Sequence, residues 1–207
     1  MSTTPVDFWF DPLCPWTWTT SRWLLEVAGQ RDLEIHWQVM SLAVLNEGRL
    51  DQIPEEFHEL LGPKGLRPVR VLAAVGQKSG TEAVGRLYTE LGIRFHERGR
   101  TPDLDTITEA LSAAGLPADL VSHADSEAYD VEVRASHQRG QDQVGEESGS
   151  PIIGVPGASG DRVAFFGPIV TPIPRGETAV RLWDATLLAA SVPGFAELKR
   201  ARAGEKP

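Results

Sequence analysis

The spacing of apolar residues changes several times along the chain. Val6-Asp7-Phe8-Trp9-Phe10 is a short, aromatic-rich run that predicts a half-buried or fully buried strand. From Trp16 to Ala28 apolar positions return at helical spacing, through Trp18, Leu25 and Ala28 with Leu24 beside them. Gly29 is a stop signal. Leu33 to Val39 then alternates, with Leu33, Ile35, Trp37 and Val39 on one face and His36 on the polar one, which predicts a second strand. A strand–helix–strand unit makes its two strands parallel, so their C-terminal ends share one side with the start of Met40 to Glu47.

Beyond that point the alternation disappears. Val69 to Gln77, Glu82 to Leu91, Asp105 to Ala114, Ala118 to Ala124 and Glu127 to Gln143 read as helices. They are separated by Gly80, the Gly99 to Pro102 stretch, Gly115-Leu116-Pro117 and Asp125-Ser126, with Thr106 or Thr108 and Ser126 as start signals and Glu146-Glu147 as a solvated end. Strand character returns at Pro151 to Val155 and Arg162 to Phe166, joined through Gly157 to Gly160, as an antiparallel hairpin. Glu177 to Ser191 carries Val180, Trp183 and Leu187 at helical spacing, and Phe195 to Arg202 predicts a short final helix. The organisation is β-α-β over residues 1–39, a helical insert over 40–147, and β-β-α over 148–207.

The 207-residue chain, 41% hydrophobic and 24% charged, suits one globular domain carrying an insertion. A net charge of −9 argues against nucleic acid or an anionic membrane as a partner. No apolar run is long enough to span a bilayer, and Met1 to Pro5 lacks signal-peptide features. The single cysteine leaves no disulfide framework and fits a reducing, cytoplasmic compartment. His36, His58, His96, His123 and His137 show no metal-ligand spacing.

That cysteine lies in Asp11-Pro12-Leu13-Cys14-Pro15-Trp16-Thr17-Trp18, between the first strand and the first helix. Pro15 suits the first helical turn. Cys14 then sits at a helix N-terminus, where unpaired N–H groups and the dipole favour thiolate, the nucleophile of disulfide exchange. Thr17, one turn on, is placed to donate a hydrogen bond to the sulfur. Asp11 helps make the turn, or else exchanges a proton near the sulfur. Trp16 either stacks on a flat substrate or packs structurally. Asn46 is either a substrate contact or a cap ahead of Gly48. The basic stretch Gly62 to Arg70 reads as a solvated loop or as a lid whose Lys64, Arg67 or Arg70 meets a carboxylate on a thiol cosubstrate.

Asp7 to Trp16 resembles the active-site opening of DsbA-like thioredoxin-fold proteins, most closely the mycothiol-dependent nitroreductases. Ser150-Pro151-Ile152-Ile153 is similar to the cis-proline segment of that group. Phe165-Phe166-Gly167-Pro168, Pro174-Arg175-Gly176 and Arg181-Leu182-Trp183-Asp184 are similar to its C-terminal portion. The resemblance implies an α/β, thioredoxin-like fold with an inserted helical subdomain. It further implies a cytoplasmic oxidoreductase that uses mycothiol as cosubstrate, holds no tightly bound cofactor and reduces a nitroaromatic or disulfide substrate. Cys14 would be catalytic and Pro15, Trp16, Ser150 and Pro151 would line the substrate; their own placement in the chain adds Thr17 to the catalytic residues and Asn46 to the substrate side. A homodimer stays open.

The family pattern ends Cys-Pro-Trp-Cys, whereas Thr17 stands last here. One cysteine cannot form an intramolecular disulfide, so a mixed disulfide at Cys14 must be resolved by an external thiol or another chain. A kappa-class-like thiol transferase or isomerase, or a redox-silent binding protein of the same fold, is the alternative.

Overall fold

The computed structural model describes residues 3–145, 148–157 and 161–199. Strand β1 (Thr4–Phe10) leads into helix α1 (Pro15–Ala28) and strand β2 (Leu33–Val39), which lies parallel to β1 with Phe10 opposite Val39. The helical segment follows as α2 (Leu42–Leu45), α3 (His58–Leu61), α4 (Leu66–Gly92), α5 (Leu104–Ala113) and α6 (Asp130–Val144). The chain returns as β3 (Ile152–Pro156) and β4 (Arg162–Phe166), then α7 (Gly176–Ala190). The four strands are ordered β2-β1-β3-β4, with β1–β3 and β3–β4 antiparallel. Among the described residues no helix is long and apolar enough to cross a membrane.

The alternation of β2 decides its packing. Trp37 and Val39 join Val6, Phe8 and Phe10 of β1 in the main core, with Leu33 and Ile35 packed against it. Trp9 points to the opposite face, where it meets Met40 and Ile152 and donates from Nε1 to the Ser136 carbonyl at 3.0 Å. Helix α1 buries Trp23 and Leu24, and Trp23 Nε1 donates to the Ala179 carbonyl of α7 at 3.0 Å. The predicted break at Gly80 is a kink inside α4: Gly80 has φ +81°, a conformation glycine adopts without steric cost.

Several expectations need correction. Asp103, rather than a threonine, caps α5, its carboxylate accepting from Thr106 N at 2.7 Å. Ala118–His123 is a 3-10 turn, and a second one, Glu127–Tyr129, precedes α6. The expected final helix is absent over residues 195–199. Phe195 and Leu198 are exposed there, so a short helix has no apolar surface to stabilise it. Its remainder, 200–202, lies outside the described residues, as do Glu146-Glu147 and 158–160 of the hairpin turn.

Candidate active site

The site is built where β1 ends. The Asp11 carbonyl accepts from Cys14 N at 3.2 Å and its Oδ1 accepts from Leu13 N at 2.8 Å, closing the turn before α1. Cys14 is the N-cap residue and Pro15 opens the helix. The Cys14 side chain makes no capping bond, which leaves its sulfur available to other partners. Cys14 is 6% exposed, and its thiol donates to the Ser150 carbonyl at 3.7 Å. Ser150-Pro151 is a cis peptide, the geometry implied by the resemblance. Gly167-Pro168 and Thr171-Pro172 are cis as well.

Thr17 is fully buried, but its hydrogen bond does not reach the sulfur as expected. Thr17 Oγ1 donates to Ser150 Oγ at 2.8 Å. Ser150 therefore touches both ends of the Cys-Pro-Trp-Thr motif, its carbonyl meeting position 14 and its hydroxyl position 17. Pro15 and Trp16, between them on the first turn of α1, are half-buried. Asn46 takes the capping role the sequence also allowed: Nδ2 donates to the Leu42 carbonyl at 2.7 Å.

Asp11 does more than make a turn. Its Oδ2 accepts from Leu42 N at 2.6 Å, tying the motif to the first residues of the helical segment. Burial pushes its carboxyl from the ordinary 3.8 up to about 6, against the pull of the Leu42 and Leu13 N–H groups. The preceding amide is also held by a titratable group, since Ser41 N donates to His137 Nδ1 at 3.4 Å. Burial and then Arg134 lower the pKa of His137, which favours the neutral ring that can accept this bond.

The sequence offers His96 only as one of the histidines without metal-ligand spacing. Its Nε2 lies 2.8 Å from the Pro12 carbonyl, two residues before the cysteine, and a carbonyl can only accept, so Nε2 carries the proton. Burial lowers its pKa, partly offset by that bond. The His96 ring stacks near Trp18 with centroids 5.9 Å apart, and Arg22 lies 4.0 Å from the Trp18 ring centroid. The hydrogen bond to Pro12 spans 84 positions, and no local sequence signal announces it.

The basic stretch supplies no free lid. Lys64 pairs with Glu59 at 2.6 Å, Arg67 with Asp125 at 2.7 Å, and Arg70 with Asp130 through Nε at 2.6 Å and a second nitrogen at 2.7 Å. Each cation expected to await a cosubstrate carboxylate is engaged by an acid of this chain. No cluster of histidine, cysteine or acidic residues suited to a metal occurs among the described residues.

The site sets one sulfur at the N-terminus of α1 beside the buried carbonyl and hydroxyl of Ser150, which come from another segment. Comparison with known proteins extends this picture. A family model described as "Rv2466c-like: Mycothiol-dependent nitroreductase Rv2466c" matches residues 13–200. The chain is 31% identical over 199 residues to the uncharacterized protein Rv2286c of Mycobacterium tuberculosis, covering 95% of this chain and 82% of that protein. A probable DsbA oxidoreductase, SCO1869 from Streptomyces coelicolor, superposes with a TM-score of 0.59 and 18% identity, over 97% of this chain and 94% of that one. The cytosolic disulfide reductase DsbM from Pseudomonas aeruginosa, solved with GSH, gives a TM-score of 0.58 and 13% identity, over 89% and 99%. The fold is thus the DsbA-like variant of the thioredoxin fold.

Proposed function

The chain belongs to the Rv2466c-like family of mycothiol-dependent nitroreductases, and from that premise we propose that it is a thiol-dependent oxidoreductase working through Cys14 alone. The observation that carries this reading is the placement of the only cysteine at the N-cap of α1, its thiol on the carbonyl of Ser150 just ahead of Pro151.

In the disulfide reaction the Cys14 thiolate attacks one sulfur of the substrate, and the other departs as a thiolate with the bonding electron pair. The resulting mixed disulfide is attacked by a low-molecular-weight thiol, proposed to be mycothiol. A second disulfide forms with that thiol and Cys14 is released as thiolate. With a nitroaromatic substrate, two such thiols supply two electrons and two protons, giving the nitroso compound, one disulfide and water. Ser150 and Pro151 position the incoming thiol, Thr17 keeps Ser150 in place through its hydroxyl, and Pro15, Trp16 and Asn46 border the substrate. No tightly bound cofactor is required, and a cytoplasmic thiol pool suits the single sulfur.

The test incubates the protein with mycothiol and either a nitroaromatic or a mixed disulfide, counting thiol consumed against product formed. Wild type is expected to consume two thiols per nitro group reduced to nitroso, or one thiol per substrate disulfide, and to form a one-to-one adduct at Cys14 visible by mass spectrometry. Cys14→Ser is expected to lose both. The lone cysteine also favours a transferase or isomerase reading, in which the same sulfur orients a thiol without electron transfer. Product that appears with no disulfide formed would put that reading first.

A further inference from the structure

The sheet order β2-β1-β3-β4 leaves two outer edges. That of β2 is closed by α4, where Thr81 Oγ1 takes the outward Trp37 N–H at 2.8 Å. That of β4 has no such cover. Gly167 N donates to the Pro151 carbonyl at 2.9 Å and Gly157 N to the Asp161 carbonyl at 2.6 Å, so Val163 and Phe165 are the residues of β4 that exchange main-chain bonds with β3. Alternation turns the N–H and C=O of Arg162, Ala164 and Phe166 outward. Among the described residues none of these groups has a hydrogen-bond partner. The chain does not double back along them. It leaves β4 toward α1, where the Pro168 carbonyl accepts from Thr20 Oγ1 at 2.8 Å.

An open edge is a template for another strand. Arg162-Val163-Ala164-Phe165-Phe166 holds no acidic residue, in a chain of net charge −9. Phe166 is 44% exposed, and Val163 and Phe165 are half-buried. The Arg162 guanidinium pairs with the Asp7 carboxylate of β1, so its charge is matched within the chain. The run is also complementary to itself. With two copies set antiparallel about Ala164, Val163 lies opposite Phe165 of the second copy, apolar on apolar. Arg162 lies opposite Phe166 on the other face, within reach of a cation–π contact.

We propose that two copies of this chain pair through the outer edges of β4, in antiparallel register centred on Ala164, to make one continuous sheet. Ala164 faces Ala164 and Arg162 faces Phe166, and each such pair exchanges two N–H···O bonds across a two-fold axis. Strand pairing alone buries little surface, so the dimer forms and dissociates with concentration.

The test follows the full-length protein, kept reduced so that no Cys14 disulfide links two chains, by sedimentation velocity. Wild type is expected to pass from monomer to twice that mass as concentration rises. Ala164→Pro removes an outward N–H that the β3–β4 ladder does not use, so the fold is kept and the edge is closed. Its dissociation constant should rise about tenfold or more. Phe166→Lys leaves the main chain untouched, sets a second cation opposite Arg162 and should weaken association likewise. In a Cys14→Ser background, Ala164→Cys is expected to form an interchain disulfide under mild oxidation, because the two Cα atoms would lie about 5.5 Å apart. Val131→Cys, at a position 82% exposed on α6, is expected not to. Wild type that stays monomeric at every concentration would overturn the proposal and leave the edge to a strand of another protein. Association that survives both Ala164→Pro and Phe166→Lys, or cross-linking no faster at position 164 than at position 131, would overturn it by placing the contact elsewhere. None of these readouts involves thiol turnover, so they stand apart from the oxidoreductase reading.

Discussion

Asp11, Thr17 and Ser150 show how buried polar side chains hold the Cys14 segment in place. Asp11 was legible as a turn-maker because it lies three residues before Cys14; its bond to Leu42 was not, because the partner belongs to another element. Since the folded state holds the Asp11 proton more tightly, its contribution to stability is complete below 3.8 and is lost as pH rises through about 6. The displacement corresponds to about 3 kcal/mol. Urea unfolding of wild type and Asp11→Asn should therefore show a stability difference that moves against wild type between about pH 4 and about pH 7. A difference constant with pH would show that the carboxyl does not titrate in this window. Thr17→Val removes one buried hydrogen bond and leaves Ser150 Oγ without its donor. A loss of about 1–2 kcal/mol is expected in the same experiment, with a smaller further loss when Ser150→Ala is added, since the two side chains share one bond.

Helices are placed here by close approach as much as by propensity. Helix α4 passes α1 at Gly92, where an added methyl would collide with the Trp18 ring, and passes β2 at Gly85, where it would meet Trp37. Both rings lie in the aromatic core with Phe10 and Tyr88, so neither has room to retreat. Gly92→Ala should cost about 1–3 kcal/mol and lower the thermal midpoint. Gly99→Ala, with open space around it but a positive φ, tests backbone strain alone. Arg70, which the sequence offered as part of a lid, joins α4 to α6 through a two-point ion pair with Asp130. Asp130→Ala leaves that largely buried guanidinium without its carboxylate and should destabilise by about 2–4 kcal/mol; an unchanged unfolding midpoint would refute a structural role. Periodicity announced α1, the two arms of α4 and α7 because each buries one face. It overreached at Phe195, where apolar residues recur but nothing packs on them.

For the whole molecule, the strand–helix–strand opening and the hairpin return were legible because alternation and turn residues are local. The adjacency of β1 and β3 came only through the motif resemblance, since no local pattern specifies a pairing across more than a hundred residues. Trp9, Met40 and Ile152 fill the sheet face opposite the main core. The Trp9 Nε1 bond to Ser136 docks α6 on that face. Trp9→Phe should therefore loosen α6 more than α1, read as faster amide exchange along Asp130–Val144.

Ser150 stands 136 positions after Cys14. A ribosome extends the chain from its N-terminus, so the sulfur leaves the exit tunnel well before the segment that will cover it has been made. During that interval the newborn polypeptide carries a bare thiol, open to capture by the same small disulfides its finished form is proposed to handle. Stalled chains ending before residue 148 should accept a maleimide label at Cys14 rapidly, whereas released, completed chains should label slowly. Reducing conditions at the point of synthesis would then guard the protein through the one period when it cannot shield itself.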